Sequence, residues 1–297
     1  MNESASPLSS TPSLYVVATP LGNLQDLSPR ARTVLAAVDV VAAEDTRHSQ
    51  RLFAAFGIAA RLVAVHQHNE QQAAGRIVDW LAAGRQVALI TDAGTPAVSD
   101  PGARLVARVR NAGHPVVPVP GACAAVAALS VAGITESGFR FIGFLPARAA
   151  ARRDALAKLA DERDALIFYE APHRVAACVA DMAEIFGGGR EILIARELTK
   201  LHEETAAMPL AEAGAWLAAD ANRGRGEFVL VVHGVAGNEE LDAGAARTLR
   251  LLLTELPLKT AVRLAAEITG ASRNGLYSHA LEYRRCDNLR SERRHDI

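Results

Sequence analysis

The chain has 297 residues, a length that predicts two domains with room for a small third piece. Half of the residues are apolar and 22% are charged, which excludes a disordered or fibrous protein. The 32 basic and 33 acidic residues give a formal net charge of −1, which argues against a surface coated in positive charge for nucleic acid, although a balanced total can conceal a local basic patch.

Cysteine usage and the chain start bear on the cellular compartment. The three cysteines, Cys123, Cys178 and Cys286, are far apart and form no CxxC or Cys/His cluster, which indicates a reducing, cytoplasmic setting without structural zinc. Residues 1–13 include Glu3 and lack an apolar core, so we interpret them as a disordered lead-in rather than a signal peptide. No apolar run reaches the roughly 18 residues of a membrane span.

Short apolar runs that alternate with amphipathic stretches begin at Leu14. Their length of about five residues and their valine content favour buried strands. Ser28-Pro29 and Asp100-Pro101 are helix-start signals, and Gly113 would end the second of these helices. Alternating strands and helices predict an α/β fold with a largely parallel sheet covered on both faces. The strand candidates are 14–18, 40–43, 61–65, 86–90 and 115–119.

A second set of strands and helices is predicted from residue 140 onward. Gly187, Gly188 and Gly189 follow a helix and precede a strand, which is the wrong order for a phosphate-binding loop, so they predict a helix-ending turn. The pattern changes over 121–138, which predicts an N-terminal α/β domain at 14–125 and a C-terminal α/β domain at 126–236. The strand candidates are 140–144, 165–169, 191–195 and 227–232, and the helix candidates are 150–161, 173–185 and 209–219.

The remainder, 243–297, contains no strand candidate and predicts a small helical extension, with helices over 243–255, 257–269 and 274–282. It holds ten Arg and Lys against six Asp and Glu, a difference of +4, whereas residues 1–242 carry −5. A small basic helical module is typical of binding to an RNA backbone, although a solvated helical face is the alternative.

The loops that leave the predicted strands combine glycine or proline with charged groups. Ligands collect at the carboxyl ends of parallel strands, and glycine lets a backbone approach a ligand closely. One such loop would be an ordinary turn, but six on the same predicted sheet edge indicate a binding site. The loops are TPLGN (19–23), EDTRHS (44–49), TDAGTPAVSDPG (91–102), PGAC (120–123), EAPHR (170–174) and RELTK (196–200).

Several common motifs are absent. No GxGxxG follows the first strand, and GxxxxGK[ST], GxSxG and HExxH occur nowhere. His66 and His68 would share one face of a strand, but with no third ligand nearby the sequence predicts no metal site.

Four of the loop strings are long and specific: EDTRHS, DAGTPAVSDPG, FYEAPHR and ARELTK. Together with their flanks they resemble the ribosomal RNA small-subunit methyltransferase I family, within the tetrapyrrole-methylase-like (class III) methyltransferases. The ending 256–281 resembles that family's C-terminal helix-turn-helix-like extension, and the tail 283–297 runs past it. The matching stretches, with these strings included, are 14–31, 40–58, 91–106, 117–129, 141–153, 168–174 and 195–204.

The resemblance implies a two-domain tetrapyrrole-methylase-like fold with S-adenosyl-L-methionine bound in the cleft between the α/β domains. It implies 2′-O-methylation of a cytidine ribose in the decoding region of small-subunit (16S) ribosomal RNA, by a homodimer. The small ribosomal subunit is therefore the expected partner, and no membrane is expected.

Matching the family's loops to this chain implies a set of cofactor contacts. Cys123 stands where such loops often carry serine, and we expect cofactor binding to tolerate this change. Arg273 stands where lysine is common. Asp92 suits a hydrogen bond toward the cofactor, with capping of its own turn as the alternative. The implied contacts are Leu21, Gly22, Asp92, Gly94, Thr95, Gly121, Ala122, Cys123, Ala124, Tyr169 and Ala195, with Glu227 as a weaker candidate.

Methyl transfer from a sulfonium is an in-line displacement that cancels charge, so the protein must mainly hold oxygen, methyl and sulfur in line. A ribose hydroxyl is a poor nucleophile at pH 7, so a base or a nearby cation should help. Arginine is suited to phosphate because it forms bidentate, charge-assisted hydrogen bonds. The polar candidates for the RNA side are Glu44, Asp45, Arg47, His48, Glu170, His173, Arg174, Arg196, Glu197 and Lys200.

Within this set, the sequence leaves the identity of the base open. Glu170 and Glu197 are possible bases, or they only fix Arg174 and Arg196 by ion pairs. Arg47 and His173 are expected to matter most for RNA engagement or chemistry. The catalytic candidates are Arg47, His48, Glu170 and His173, and the RNA-binding candidates are Arg47, Arg174, Arg196, Lys200, Lys259 and Arg273.

Two other function classes remain open. A small-molecule tetrapyrrole methylase would share the fold, but charged, Arg-rich loops and a basic extension disfavour it, because a macrocycle prefers an apolar cleft. A noncatalytic RNA-binding or ribosome-assembly factor is disfavoured by the intact cofactor loops. Only 5% of residues are aromatic, so base stacking is not expected to be the main contact with RNA.

Overall fold

The computed structural model describes residues 8–66, 69–135, 138–235, 242–273, 275–277, 279–281 and 283. The described residues up to Val235 form one compact unit, and those from Asp242 onward form a second. His68, most of the predicted lead-in and the tail after Tyr283 lie outside the described residues. No helix in the described ranges is both long and apolar enough to cross a membrane.

The first sheet is parallel throughout, as the alternating pattern predicts, with the order β3-β2-β4-β1-β5. Its valine- and alanine-rich strands are buried on both faces, as expected when helices cover both sides. The strands are β1 (Leu14–Val17), β2 (Val40–Ala43), β3 (Leu62–Ala64), β4 (Val87–Ile90) and β5 (Val116–Val119).

Within the described ranges, four helices cover the first sheet. The first two, α1 (Pro29–Ala37) and α2 (Thr46–Phe56), pack against the face that carries Tyr15. The next two, α3 (Glu70–Ala82) and α4 (Ala103–Asn111), cover the opposite face, which carries Leu14. Helices on both faces are therefore confirmed.

The second sheet has the order β6-β7-β10-β8-β9 and is mostly antiparallel, since only β6 and β7 run parallel. Its strands are β6 (Phe139–Phe144), β7 (Ala165–Glu170), β8 (Glu191–Arg196), β9 (Glu204–Pro209) and β10 (Phe228–Val232). Its helices are α6 (Ala149–Ala157), α7 (Val175–Phe186) and α8 (Leu210–Ala218). The strand β9 was not predicted, because ETAAMP has no run of large apolar residues; it is an edge strand with two exposed side chains.

The arrangement of two sheets corrects the expectation that all six loops leave one sheet edge. Four loops belong to the first sheet, whereas EAPHR and RELTK follow β7 and β8 of the second. Because β7 and β8 are both antiparallel to β10, they run in the same direction and release their loops at one end of that sheet.

The predicted helix ends were partly right. Ser28 caps α1, with its hydroxyl accepting from the Ala31 amide at 3.1 Å, and α7 ends at Gly187 with φ of +86°, both as predicted. The start signal at Asp100-Pro101 was wrong, because α4 begins two residues later, at Ala103, after an N-cap at Gly102.

The first α4 turn is capped instead from a distant part of the chain. Glu70 of α3 accepts with one carboxylate oxygen from the amides of Gly102, Arg104 and Leu105 at 3.0, 3.1 and 3.2 Å. A buried carboxylate at a helix N-terminus satisfies orphan amides and opposes the helix dipole. Asp100 therefore has no capping role and remains in the preceding loop.

A fifth helix, α5 (Ala124–Ser130), connects the two sheets. It follows the last strand of the first sheet, yet its buried residues Ala125 and Ala128 pack with Ile167 and Val229 of the second sheet. The sequence boundary at 125/126 therefore falls inside a helix that belongs to the core of the second sheet.

The second unit is helical, as predicted for the extension. It contains α9 (Ala243–Glu255) and α10 (Leu258–Thr269), which begin and end close to the predicted residues, and further helical residues from Arg273 onward. Leu249, Val262 and Leu276 are buried in its core, and Gly270 ends α10 with φ of +72°.

Candidate active site

A cleft of about 470 Å³ opens in the first unit, where loops of both sheets meet. This volume lies within the roughly 300–1,000 Å³ of sites for small molecules. It is bordered by the loops after β1 and β4, the start of α5, the end of β7 and the start of β10. Contacts across it are direct: Tyr169 of β7 accepts with its hydroxyl oxygen from the Ala125 amide of α5 at 3.1 Å.

Most of the residues implied as cofactor contacts come together at this cleft. Gly121 and Ala122 lie behind the lining: Gly121 packs against Ala18, and the Ala122 carbonyl accepts from the Thr95 hydroxyl at 3.0 Å. Gly22 packs against the side chain of Lys200. Ala195 does not reach the cleft, because it is fully buried in β8. The lining members are Leu21, Asp92, Gly94, Thr95, Cys123, Ala124, Tyr169 and Glu227.

The loop 91–102 is held tightly at the centre of the site. Thr19 and Gly94 exchange two backbone hydrogen bonds of 2.9 and 3.0 Å, and the Thr19 hydroxyl donates to the Thr91 carbonyl at 3.0 Å. Ala97 and Ser99 adopt positive φ values of 68° and 62°, which non-glycine residues rarely do outside functional or over-determined sites. The loop is therefore a preorganised wall of the cleft.

Carboxylates accumulate on this side of the cleft. The Thr91 hydroxyl donates to Glu44 at 2.6 Å, and Asp92 accepts from the Asp45 amide at 3.0 Å. Burial, reinforced by the negative charge of Glu44, raises the pKa of Asp100 to about 6. Burial also raises the pKa of Asp92.

Sequence reasoning missed Asp100 and did not assign Glu44 to the cofactor side. Asp100-Pro101 has the pattern of a helix start, and only the contact with Glu70, 30 residues earlier, shows that the cap is supplied elsewhere. Its position inside the specific string DAGTPAVSDPG was the signal that could have included it.

Glu170 and Arg174 form one enclosed ion pair. The Glu170 side chain is 1% exposed and lies 3.0 Å from the Arg174 Nε, and Arg174 also donates to the Leu145 carbonyl at 2.6 Å. Glu170 lines the cleft, but it is fully engaged. Of the two readings for this residue, the geometry favours an ion pair that holds Arg174 over a base.

A second set of ionic contacts closes another side of the cleft. The Lys200 ammonium lies 2.8 Å from both Glu197 and Glu227. Glu197 has φ of +51° and accepts from the Glu227 amide at 2.9 Å. Arg196 is only 7% exposed and pairs with Glu204 at 3.5 Å, so it is enclosed within the second sheet rather than presented to a partner.

The remaining candidates are solvent-exposed and do not line the cleft. Arg47 and His48 lie in the first turn of α2, three and four residues after Glu44, and the Arg47 side chain is 90% exposed. His173 directly follows the lining residue Pro172. In the second unit, Lys259 is exposed, and Arg273 lies 3.9 Å from Glu267.

A metal centre is not formed by the part of the chain that the structure describes, where no group of three His, Cys, Asp or Glu could hold an ion.

Comparisons with known proteins define the class to which this fold and cleft belong. Residues 13–214 match the family model of the tetrapyrrole (corrin/porphyrin) methylases, and residues 239–284 match the RsmI C-terminal HTH domain. The structure of the cobalamin biosynthetic enzyme cobalt precorrin-4 methyltransferase, CbiF, superposes with a TM-score of 0.57 at 16% identity, over 74% of this chain and 94% of that one. The two-sheet architecture is thus the tetrapyrrole methylase fold.

Curated relatives narrow the class further. The chain is 54% identical to ribosomal RNA small subunit methyltransferase I of Pseudomonas aeruginosa, over 91% of this chain and 96% of the relative. It is 49% identical to the protein of that name from Vibrio cholerae, over 91% and 95% of the two chains. The chain therefore belongs to the ribosomal RNA small subunit methyltransferase I family of the tetrapyrrole methylases.

Proposed function

We propose that this protein uses S-adenosyl-L-methionine to methylate the 2′-hydroxyl of a cytidine in the decoding region of 16S ribosomal RNA. The observation that carries the proposal is the cleft itself: eight of the twelve residues implied as cofactor contacts line one cavity of a chain that belongs to this family. The ribosomal substrate is supported by the names of the curated relatives. We further propose that the protein acts in the cytoplasm as a homodimer on the small ribosomal subunit.

The lining of the cleft fits the proposed cofactor. Leu21, Val98 and Phe144 supply apolar wall, while carboxylates that form no ion pair with any described residue supply negative charge for a cationic donor. Leu21, Gly94 and Cys123 would lie against it, with Tyr169 closing the far side. When bound, the cofactor supplies an activated methyl group.

The chain's own contribution is to hold the acceptor and the donor in line and to keep water out. The restrained loop 91–102 fixes the donor side, and such positioning can supply roughly 7–11 kcal/mol of the barrier. We propose Arg47, His48 and His173 for the RNA side, because they are exposed and lie within four residues of a lining residue, Glu44 or Pro172. Arg174, Arg196 and Lys200 would act indirectly, since ion pairs hold their side chains.

Methyl transfer from labelled cofactor tests the proposal. Isolated small subunits, free 16S RNA and free tetrapyrroles are offered separately, and labelled RNA is digested to locate the methyl group. Label in a cytidine ribose is the expected result, with Arg47→Ala and His173→Ala lowering the rate about 10- to 100-fold. Label in a tetrapyrrole, or in a base, would contradict the proposal, and near-normal rates for both variants would contradict the roles of Arg47 and His173.

A further inference from the structure

The ionisable lining of the cleft is one-sided. Among the residues that the structure describes, five acidic ones line the cleft, and no lysine, arginine or histidine does. Two of these acids are compensated by nearby cations, because Arg174 pairs with Glu170 and Lys200 pairs with Glu227. The other three acids are Glu44, Asp92 and Asp100.

These three, which we call the acidic triad, have neutral hydrogen-bond partners. Glu44 accepts from the Thr91 hydroxyl and Asp92 from the Asp45 amide, and no member forms an ion pair with any residue that the structure describes. The triad is brought together by two loops, after β2 and after β4, on the wall that loop 91–102 holds rigid.

The surroundings of Asp100 do not neutralise it. Burial raises the pKa of Asp100, and three carboxylates raise it further: Glu44 from the loop after β2, Asp92 from the same loop as Asp100, and Glu227 from just before β10. Tyr169 of β7 faces it as a neutral phenol. Thr91 lies beside Asp100, but its hydroxyl proton is donated to Glu44. Burial raises the pKa of Asp92 more than the charge of His48 lowers it.

Uncompensated charge in a half-buried cleft is costly unless a ligand of opposite sign occupies it. We infer that the acidic triad recognises the positive charge on the sulfur of the methyl donor. The cleft therefore binds the sulfonium form in preference to the demethylated thioether. The inference rests on the proposed use of S-adenosyl-L-methionine.

The inference has a consequence for turnover. In the transfer, the bond between sulfur and methyl breaks with its electron pair staying on sulfur, a bond forms between the methyl carbon and the ribose oxygen, and the hydroxyl proton passes to water. The cation that balanced the triad is then gone, while the three carboxylates remain. Repulsion within the triad returns, which lowers affinity for the product and favours its release.

The preference depends on pH in a defined direction. Asp100 titrates near pH 6 in the free protein, so below that pH it is largely protonated and the triad carries less charge. A bound cation stabilises its carboxylate, so donor binding near pH 6 releases protons that thioether binding does not release. The preference for the sulfonium therefore grows as the pH rises from about 5 to 8.

Calorimetric titration of the full-length protein tests this without relying on turnover. S-adenosylmethionine, S-adenosylhomocysteine and sinefungin, which carries an amine in place of the sulfonium, are titrated at pH 5, 6 and 8. Two buffers of different ionisation enthalpy give the proton count at pH 6. The variant Asp100→Asn is compared with Glu212→Gln, which removes an exposed carboxylate in α8, a helix that contributes no residue to the lining of the cleft.

Asp100→Asn is expected to weaken both cationic ligands roughly three- to tenfold at pH 8 and to leave S-adenosylhomocysteine within about twofold. Its proton release should disappear, and Glu212→Gln should behave as the unmodified protein. Equal loss of affinity for all three ligands, or no change for any of them, would overturn the inference, because Asp100 would then not distinguish cationic from neutral ligands.

Failure of the proposed cofactor use gives a different result, since the unmodified protein would then bind none of the three ligands, whereas a different methyl acceptor would leave this binding test unchanged. Circular dichroism and a thermal melt confirm that Asp100→Asn folds. If it does not, Glu44→Gln removes another charge of the triad and is expected to show the same selective loss.

Discussion

Glu170 and Arg174 show how a single contact changes the meaning of two residues. From the sequence, Glu170 is a possible base and Arg174 a possible phosphate contact. In the structure they form one ion pair at the end of β7, and the arginine also binds the Leu145 carbonyl. The pair joins the EAPHR loop to the segment after β6, and it keeps the loop in place beside the cleft.

We predict that Arg174→Met destabilises the protein by about 3–5 kcal/mol, because it leaves the buried Glu170 carboxylate without its cation. Urea denaturation followed by circular dichroism measures the loss. The matched control is Arg140→Met, which removes the more exposed ion pair between Arg140 and Glu162 and should cost about 1 kcal/mol or less. Similarly small losses of stability in both variants would show that the enclosed ion pair stabilises the protein no more than the exposed one.

Asp100 is the opposite case to Glu170 and Arg174: its sequence pattern suggested a structural role, whereas the structure leaves it in the cleft. The dipeptide Asp100-Pro101 matches a helix start in every respect that sequence can reveal. The structure places the cap on Glu70 and leaves Asp100 facing the cleft. A side chain 30 residues away cannot be recognised as a capping group until α3 and α4 are packed together.

At the level of helices and strands, the packing of α3 against α4 positions one end of the active-site loop 91–102. Their packing carries Glu70 to the start of α4, where three amides share one oxygen. This fixes the C-terminal end of loop 91–102, just as the hydrogen bonds between Thr19 and Gly94 fix its beginning.

We expect Glu70→Ala to lower the free energy of unfolding by about 1–3 kcal/mol, since three largely buried amides lose their acceptor. Glu70→Gln is the matched control, because its carbonyl oxygen can still accept and the loss should be well under half as large. Chemical denaturation of the two variants gives the comparison. If glutamine is as damaging as alanine, the negative charge rather than the hydrogen bonds stabilises this helix end.

The second sheet shows where periodicity alone is insufficient. Its central strands β7, β8 and β10 were predicted to within a residue or so, because buried strands carry continuous runs of large apolar side chains. The edge strand β9 lacks such a run and was missed. Its direction, and the antiparallel pairing of β10, depend on contacts between segments that are distant in sequence.

For the molecule as a whole, the near-zero net charge conceals an unequal distribution. The residues up to 242 carry −5 and include the acidic triad, whereas 243–297 carry +4. An acidic body would repel RNA, so binding is expected to depend on placed loops and on the basic helical unit.

Truncation after Val235 is predicted to weaken binding to small-subunit RNA at least tenfold and to flatten its salt dependence, while cofactor affinity stays within about twofold. Fluorescence anisotropy at several salt concentrations and calorimetry measure the two affinities. Lys259→Ala should weaken RNA binding modestly, and Lys158→Ala, at the end of α6, should not. Loss of cofactor affinity on truncation would mean that the first unit requires the second.

Local pattern was enough for the family and for most of the helices and strands, with β9 and the start of α4 as exceptions. Runs of valine and alanine, capping residues such as Ser28 and helix-ending glycines such as Gly187 act over a few residues, and the loop strings are specific enough to identify relatives. The pKa values and ion-pair partners of the charged groups depended on long-range packing, because packing determines which groups are buried and which lie side by side. Packing paired Arg174 with Glu170, enclosed Arg196, gave the α4 cap to Glu70 and left Asp100 in the cleft with Glu44 and Asp92.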